Sequence, residues 1–301
     1  MSCFKPVVAY WSRFGKGVTF SYSERSPLNK PLKLPCGKCL GCYKVRINSW
    51  ANRCVHEASL HEKNCFITLT FNDDHLKPSL DKKDFTLFIK RLRRRVKPLK
   101  VRYFHCGEYG DNYFRPHHHA LLFGVDFPDK VVHSRKNGVV LYRSDFLESL
   151  WPFGFSSIGE VNYATASYIA SYINKKVDSN ASSFDLSDLD KVDLSAFDPL
   201  QPEYVSMSLK PAIGHNWIEK YKDDVYPRDY LVTSKGFKNK PPRAYDKYLQ
   251  RVNPELYDKV KRNRVEFSAL NSIDNTDDRL FVKEECLRAK LMRKFRSYEN
   301  I

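Results

Sequence analysis

The segment Arg115-Pro116-His117-His118-His119-Ala120-Leu121-Leu122 sets three histidines at the head of an apolar run. On a β-strand successive side chains alternate faces, so His117 and His119 point the same way, about 7 Å apart at the backbone, and can converge on one cation, while His118 faces the other side. Two neutral imidazoles leave coordination positions open, as a catalytic metal site requires, and an acidic third ligand favours a hard divalent ion. Glu108, across the Gly107 to Pro116 loop on the preceding strand, is the nearest suitable carboxylate and the expected third ligand. A histidine tract can also be a surface feature that binds metal adventitiously. Here Ala120 to Phe123 continue it as an apolar strand, which anchors the tract in a core.

Tyr168 and Tyr172, followed by Lys175 and Lys176, form the second constellation. At i and i+4 on a helix the two phenols share a face, and the lysines lie three and four residues beyond Tyr172. A phenol titrates near pH ~10, so a nucleophilic tyrosine needs a nearby cation or metal. Aromatic residues at helical spacing are by themselves ordinary core packing. Beside a metal they become nucleophiles: the cation would polarise a phosphodiester while a tyrosine oxygen attacks in line and expels the 3′ oxygen. The products are a 5′-phosphotyrosine and a 3′-hydroxyl that can prime synthesis. A second tyrosine could then cut the new strand and rejoin the ends.

Cys36, Cys39 and Cys42 form C-x₂-C-x₂-C, spacing compatible with a structural zinc site that needs a fourth ligand. Cys54 follows after 12 residues, which as helix would carry it roughly 18 Å away. Cys3 can fold back and is the expected fourth ligand. The alternative is that these are small buried thiols. Cys65, Cys106 and Cys286 sit in apolar patterns and are expected in the core.

These groups need elements to hold them. Cys65 to Phe71 is β-branched and aromatic and predicts a buried strand. Val101 to Cys106 and His117 to Val125 predict two antiparallel neighbours. A helix is expected from about Tyr43 to His61, another from Asp81 to before Pro98, a short one over Ser144 to Leu150, and the tyrosine helix over Asn162 to Val177. Gly154 to Val161 reads as a strand or turn, Met1 to Lys33 as an extended arm with one hairpin at most, and Phe281 to Arg296 as a basic terminal helix. The expected organisation is an N-terminal arm, Cys-rich segment and helix over residues 1–60, a catalytic core over 61–178, an acidic Ser/Asp linker over 179–203 and a basic C-terminal extension over 204–301.

A net charge of +16 over 301 residues has phosphate-rich polyanions as its commonest counterpart. Lys90, Arg91, Arg93, Arg94 and Arg95 crowd one stretch where Phe85, Phe88, Leu92 and Val96 recur at helical spacing, giving an amphipathic helix whose basic face suits a DNA backbone. No apolar run approaches the roughly 20 residues that cross a bilayer, and Met1 to Tyr10 carries no export signal. The expected location is a cytoplasm, without membrane partners.

CFITLTF at 65–71, GEYG at 107–110, RPHHHALLFG at 115–124 and YIASYINKK at 168–176 resemble, in that order, the motifs of HUH endonucleases. PCGKCLGC at 35–42 and MSLKPAIGHNWIEKYKDDVYPRD, beginning at Met207, are similar to the replication initiation proteins of microviruses of the gokushovirus group. The resemblance implies an α+β fold, a ferredoxin-like or RRM-like antiparallel sheet with flanking helices, here with the N-terminal Cys-rich segment and a C-terminal helical extension added. It implies Mg²⁺ or Mn²⁺ on the histidines, single-stranded origin DNA of a circular phage genome as substrate, and host helicase and polymerase as partners in a bacterial cytoplasm. The middle histidine position of the motif is bulky and apolar in that family; His118 departs from it and makes the packing beneath the site more polar. Two alternatives stay open: a non-catalytic zinc-containing DNA-binding protein, and a plasmid or transposon HUH nuclease.

Overall fold

The structure, a computed structural model, describes residues 3–15, 17–27, 30–110, 114–136, 138–175, 200–233 and 236–298, with backbone alone at 136, 174, 175 and 292–298. Lys176 and residues 179–199 of the expected acidic linker lie outside the described residues. In chain order the strands and helices are β1 (Val7–Trp11), β2 (Val18–Thr19), β3 (Leu32–Leu34), α1 (Leu40–Ala58), β4 (Asn64–Phe71), α2 (Lys82–Arg95), β5 (Arg102–Tyr109), β6 (Pro116–Phe123), β7 (Val131–Lys136), β8 (Val139–Arg143), α3 (Asp145–Leu150), β9 (Gly154–Gly159), α4 (Tyr163–Lys175), β10 (Tyr204–Met207), α5 (His215–Val225), β11 (Leu231–Val232), β12 (Lys238–Asn239), α6 (Arg243–Val252), α7 (Pro254–Leu270) and α8 (Asp277–Tyr298). They divide into two compact units, Ile47–Val252 and Met1–Arg46 with Asn253–Ile301.

The larger unit is built on a seven-stranded sheet in the order β10-β5-β6-β4-β9-β8-β7, every neighbouring pair antiparallel. Within it the run β4-α2-β5-β6-α3-β9 gives the central order β5-β6-β4-β9. β4 alternates strictly, with Cys65, Ile67, Leu69 and Phe71 buried on one face. On that face they meet Phe85, Phe88, Ile89 and Leu92 of α2 and Leu147 and Leu150 of α3. Asp81 starts α2 by accepting from Lys83 N at 2.8 Å, and Ser144 starts α3 by accepting from Leu147 N at 3.1 Å.

The opposite face of the sheet carries α1 and α4. Ala51 and Cys54 of α1 and Ala166, Ile169 and Ala170 of α4 bury against Phe104, Cys106, Leu121 and Phe123. The two alanines let the α4 backbone approach the strands closely, which sets its tyrosines beside the sheet. Asn162 opens α4 by accepting from Ala164 N at 2.9 Å and Thr165 N at 3.0 Å.

The expected loop over Gly107 to Pro116 is shorter than the sequence implies, because β5 continues through Gly107 to Tyr109. Gly107 is not a turn residue. It pairs with Tyr204 of β10, and a Cβ there would lie 2.6 Å from the Tyr204 ring, so the glycine admits a neighbouring side chain instead of bending the strand. The hairpin of β7 and β8 and the edge strand β10 were not expected. α8 begins at Asp277, four residues before the expected start at Phe281.

The smaller unit contains the sheet β2-β1-β3, the first turns of α1, and α7 and α8. Lys33 and Asp277 form an ion pair at 3.4 Å. Cys286 is exposed, which corrects its expected place in a core: Leu280 and Glu284 mark the buried stripe of α8, and residue 286 falls off it.

Candidate active site

Register sets the first part of the site. Glu108 of β5 stands opposite His117 of β6, and His117 stands opposite Thr70 of β4; the next row on the same face is Cys106, His119 and Thr68. His117 and His119 therefore share a face with Glu108, their rings nearly parallel at 5° with centroids 6.3 Å apart. Thr68 Oγ1 lies 2.9 Å from His119 Nδ1, and the ring packs flat on Phe66. An Nδ1–H donated to that hydroxyl leaves Nε2 to face the site. His117 Nδ1 donates to the Arg115 carbonyl at 2.6 Å, which likewise leaves its Nε2 free to ligate. Burial brings the His117 pKa down, with neighbouring His119 and Arg115 adding to the effect, so the ring is neutral at physiological pH.

α4 supplies the second part. Tyr168 donates to Glu108 Oε1 at 2.6 Å, and Tyr172 donates to Tyr168 Oη at 3.1 Å. His119 Nε2 lies 2.7 Å from the same carboxylate oxygen, and the Tyr168 ring meets the His119 ring edge-on at 5.1 Å. The structure thus brings together His117, His119, Glu108, Tyr168 and Tyr172. Lys175 ends α4, its side chain outside the described residues, as is all of Lys176.

Glu108 is 5% exposed, and its Oε2 has no hydrogen-bond partner among the described residues. A buried carboxylate oxygen without a donor is costly. Beside two neutral imidazoles on one strand face, that oxygen fits a divalent cation, so His117, His119 and Glu108 suit such an ion.

His118 points to the other face and is fully buried, touching Phe71 and Trp151 edge-on. Its Nδ1 lies 3.2 Å from His105 Nε2, and His105 Nδ1 lies 2.9 Å from Ser206 Oγ. Burial lowers His118 to about 3 and His105 well below its ordinary value, so both rings are neutral. Sequence reasoning anticipated a polar layer at His118 but missed His105 and Ser206. Their alternation with buried residues on β5 and β10 was the available signal.

The basic residues of α2 lie on the sheet face away from the tyrosines. Arg91 donates to the Leu150 carbonyl at 3.0 Å, and Arg93 donates twice to Val101, the shorter bond 2.9 Å. These two hold the fold together. Lys90, Arg94 and Arg95 are exposed.

In the smaller unit the Sγ atoms of Cys3, Cys36, Cys39 and Cys42 all lie within 4.8 Å of one another and could hold a metal ion such as zinc. Cys3 to Cys36 is 3.7 Å and Cys3 to Cys39 is 3.8 Å. A tetrahedron of sulfurs about 2.3 Å from zinc has edges of about 3.8 Å. Burial raises the Cys39 thiol, but backbone N–H donors from Phe4 and Cys42 outweigh it and bring its pKa to about 6. Cys54 is instead buried against the sheet.

The family model of the replication-associated protein ORF2 matches residues 64–177, from the first residue of β4 to just past the end of α4. The chain is 33% identical to replication-associated protein VP4 of Bdellovibrio phage phiMH2K over 295 residues, covering 92% of this chain and 88% of that protein. It is 31% identical to replication-associated protein ORF2 of Spiroplasma virus 4, covering 88% and 86%. Replication-associated protein ORF4 of Chlamydia phage 1 is 35% identical over 152 residues, 48% of this chain and 38% of that protein. No solved structure matches the chain.

Proposed function

Because the chain belongs to the family of microvirus replication-associated proteins, we propose that it nicks one strand at the phage origin to start rolling-circle replication, with a tyrosine as nucleophile. The observation that carries this reading is the Tyr168 hydroxyl held on Glu108 beside His119. The connectivity β4-α2-β5-β6-α3-β9, with strand order β5-β6-β4-β9, agrees with the ferredoxin-like core of an HUH endonuclease.

Mg²⁺ or Mn²⁺ held by His117, His119 and Glu108 would polarise the scissile phosphate and offset its charge. Tyr168 Oη attacks phosphorus and forms the P–O bond to the enzyme, while the P–O3′ bond breaks. The phenolic proton passes along its hydrogen bond toward Glu108, and the 3′ oxygen leaves to become the primer hydroxyl. Tyr172, bonded to Tyr168, is placed to accept a second strand in the rejoining step. Host helicase and polymerase would extend the free end in the bacterial cytoplasm; no helix among the described residues is long and apolar enough to cross a membrane.

Purified protein incubated with Mn²⁺ and single-stranded viral origin DNA should become covalently linked to the 5′ end of the cut strand. DNA that is bound but intact under these conditions would favour a zinc-containing binding protein without nuclease activity.

A further inference from the structure

Phe155 is 61% exposed although it lies within a strand of the main sheet. It pairs with Thr70, and Thr70 pairs with His117 on the other side. Glu108, His117, Thr70 and Phe155 thus form one row across β5, β6, β4 and β9, all on the face that carries the tyrosines. Neighbouring strands are about 4.8 Å apart, which sets the Phe155 backbone roughly 10 Å from that of His117.

The ring belongs to neither core cluster and makes no ring contact among the described residues. Phe153, two residues earlier, packs against Trp151 and Phe71. The next residue explains why Phe155 is held there without a packing role. A Cβ on Gly154 would lie 2.3 Å from Thr70 O and 2.4 Å from Asn72 N, so β9 presses onto β4 at a distance only glycine permits. That contact fixes the register and turns Phe155 outward beside the site.

We propose that Phe155 is a nucleobase-stacking platform for single-stranded DNA next to the scissile phosphate. An exposed aromatic ring on an open sheet face is how a strand of unpaired bases is gripped without sequence reading, since every base has a π-face. Flanked by Thr70 and aligned with His117, the ring would hold the base adjoining the phosphate that Tyr168 attacks. Only the location of the platform rests on the proposed nuclease reading; the stacking itself does not.

The test uses the full-length protein, fluorescein-labelled oligothymidylate as a binding probe, and viral origin DNA as cleavage substrate. Phe155→Ala should weaken oligothymidylate binding by about 10-fold or more. It should raise KM for nicking while leaving kcat within about a factor of two. Phe155→Trp should restore binding, and Phe155→Leu should not, because leucine keeps the apolar bulk without the ring. Wild-type affinity in Phe155→Ala, or full rescue by Phe155→Leu, would overturn the proposal. Absence of a covalent adduct in the wild-type protein would instead overturn the nuclease reading, and the oligothymidylate measurement would still decide the role of Phe155.

Discussion

The hydroxyl of Tyr168 donates to Glu108 Oε1 at 2.6 Å, and the same oxygen lies 2.7 Å from His119 Nε2. One carboxylate oxygen therefore links the tyrosine helix to the histidine strand, while the second is buried without a partner among the described residues. Such an arrangement is poorly satisfied as it stands and becomes satisfied when a cation shares the carboxylate. Sites of this kind trade stability for function.

Glu108→Gln tests that trade. The amide keeps the shape and can still accept from Tyr168, but it removes the buried charge. Nicking with Mn²⁺ should fall by at least about 100-fold, while the thermal midpoint measured without divalent ions should stay the same or rise. A clear fall in midpoint would show that the carboxylate serves the fold.

The two phenols predict a hierarchy of loss. Tyr168 touches Glu108 and His119 directly, whereas Tyr172 reaches the carboxylate only through Tyr168. Tyr168→Phe should abolish most covalent adduct on a denaturing gel, Tyr172→Phe should reduce it less, and the double variant should give none. An adduct in the double variant would move the nucleophile, with Tyr163 at the start of the same helix the first residue to examine.

How much of this was legible beforehand depends on which contacts are local. Strand alternation alone was enough to pair residue 117 with residue 119, and helical spacing to pair the phenols, since both are consequences of backbone geometry. Gly107 misled because glycine marks both turns and close approaches, and the side chain that approaches it, Tyr204, lies far away in the sequence. Arg91 and Arg93 looked like DNA contacts because charge is visible in a sequence and the carbonyls they bind are not. His105 and Ser206 were missed for the same reason: a buried polar chain is defined by partners on different strands. Cys3 was found because few thiols could complete the set.

The cysteine set predicts one zinc per chain by atomic spectrometry. Cys39→Ser should remove the metal and lower stability by about 3 kcal/mol. Cys3→Ser is the sharper probe, because its neighbours alone would leave a three-sulfur site. It should reduce zinc affinity, and stoichiometric zinc held as tightly as in the unaltered chain would remove Cys3 from the ligand set.

Stability should also fall on mild acidification, for a reason separate from the active site. His56 stacks on Trp217 at 3.5 Å, its Nδ1 lies 2.9 Å from the Tyr245 hydroxyl, and burial lowers its pKa from 6.5 to about 4. Burial pushes Tyr245 upward, so the phenol keeps its proton and donates it to the neutral ring. Above pH 6.5 the imidazole is neutral in both folded and unfolded chains and has no effect. Between 6.5 and about 4 the unfolded chain takes up a proton that the folded chain refuses, so the unfolding free energy drops as pH falls, by at most about 1.4 kcal/mol per pH unit. His105 and His118 act in the same sense, so the contribution of His56 is the difference between the wild-type slope and that of His56→Gln in urea unfolding at about pH 7, 6 and 5. Equal slopes would mean that residue 56 titrates alike in both states and that its stack on Trp217 admits the charged form.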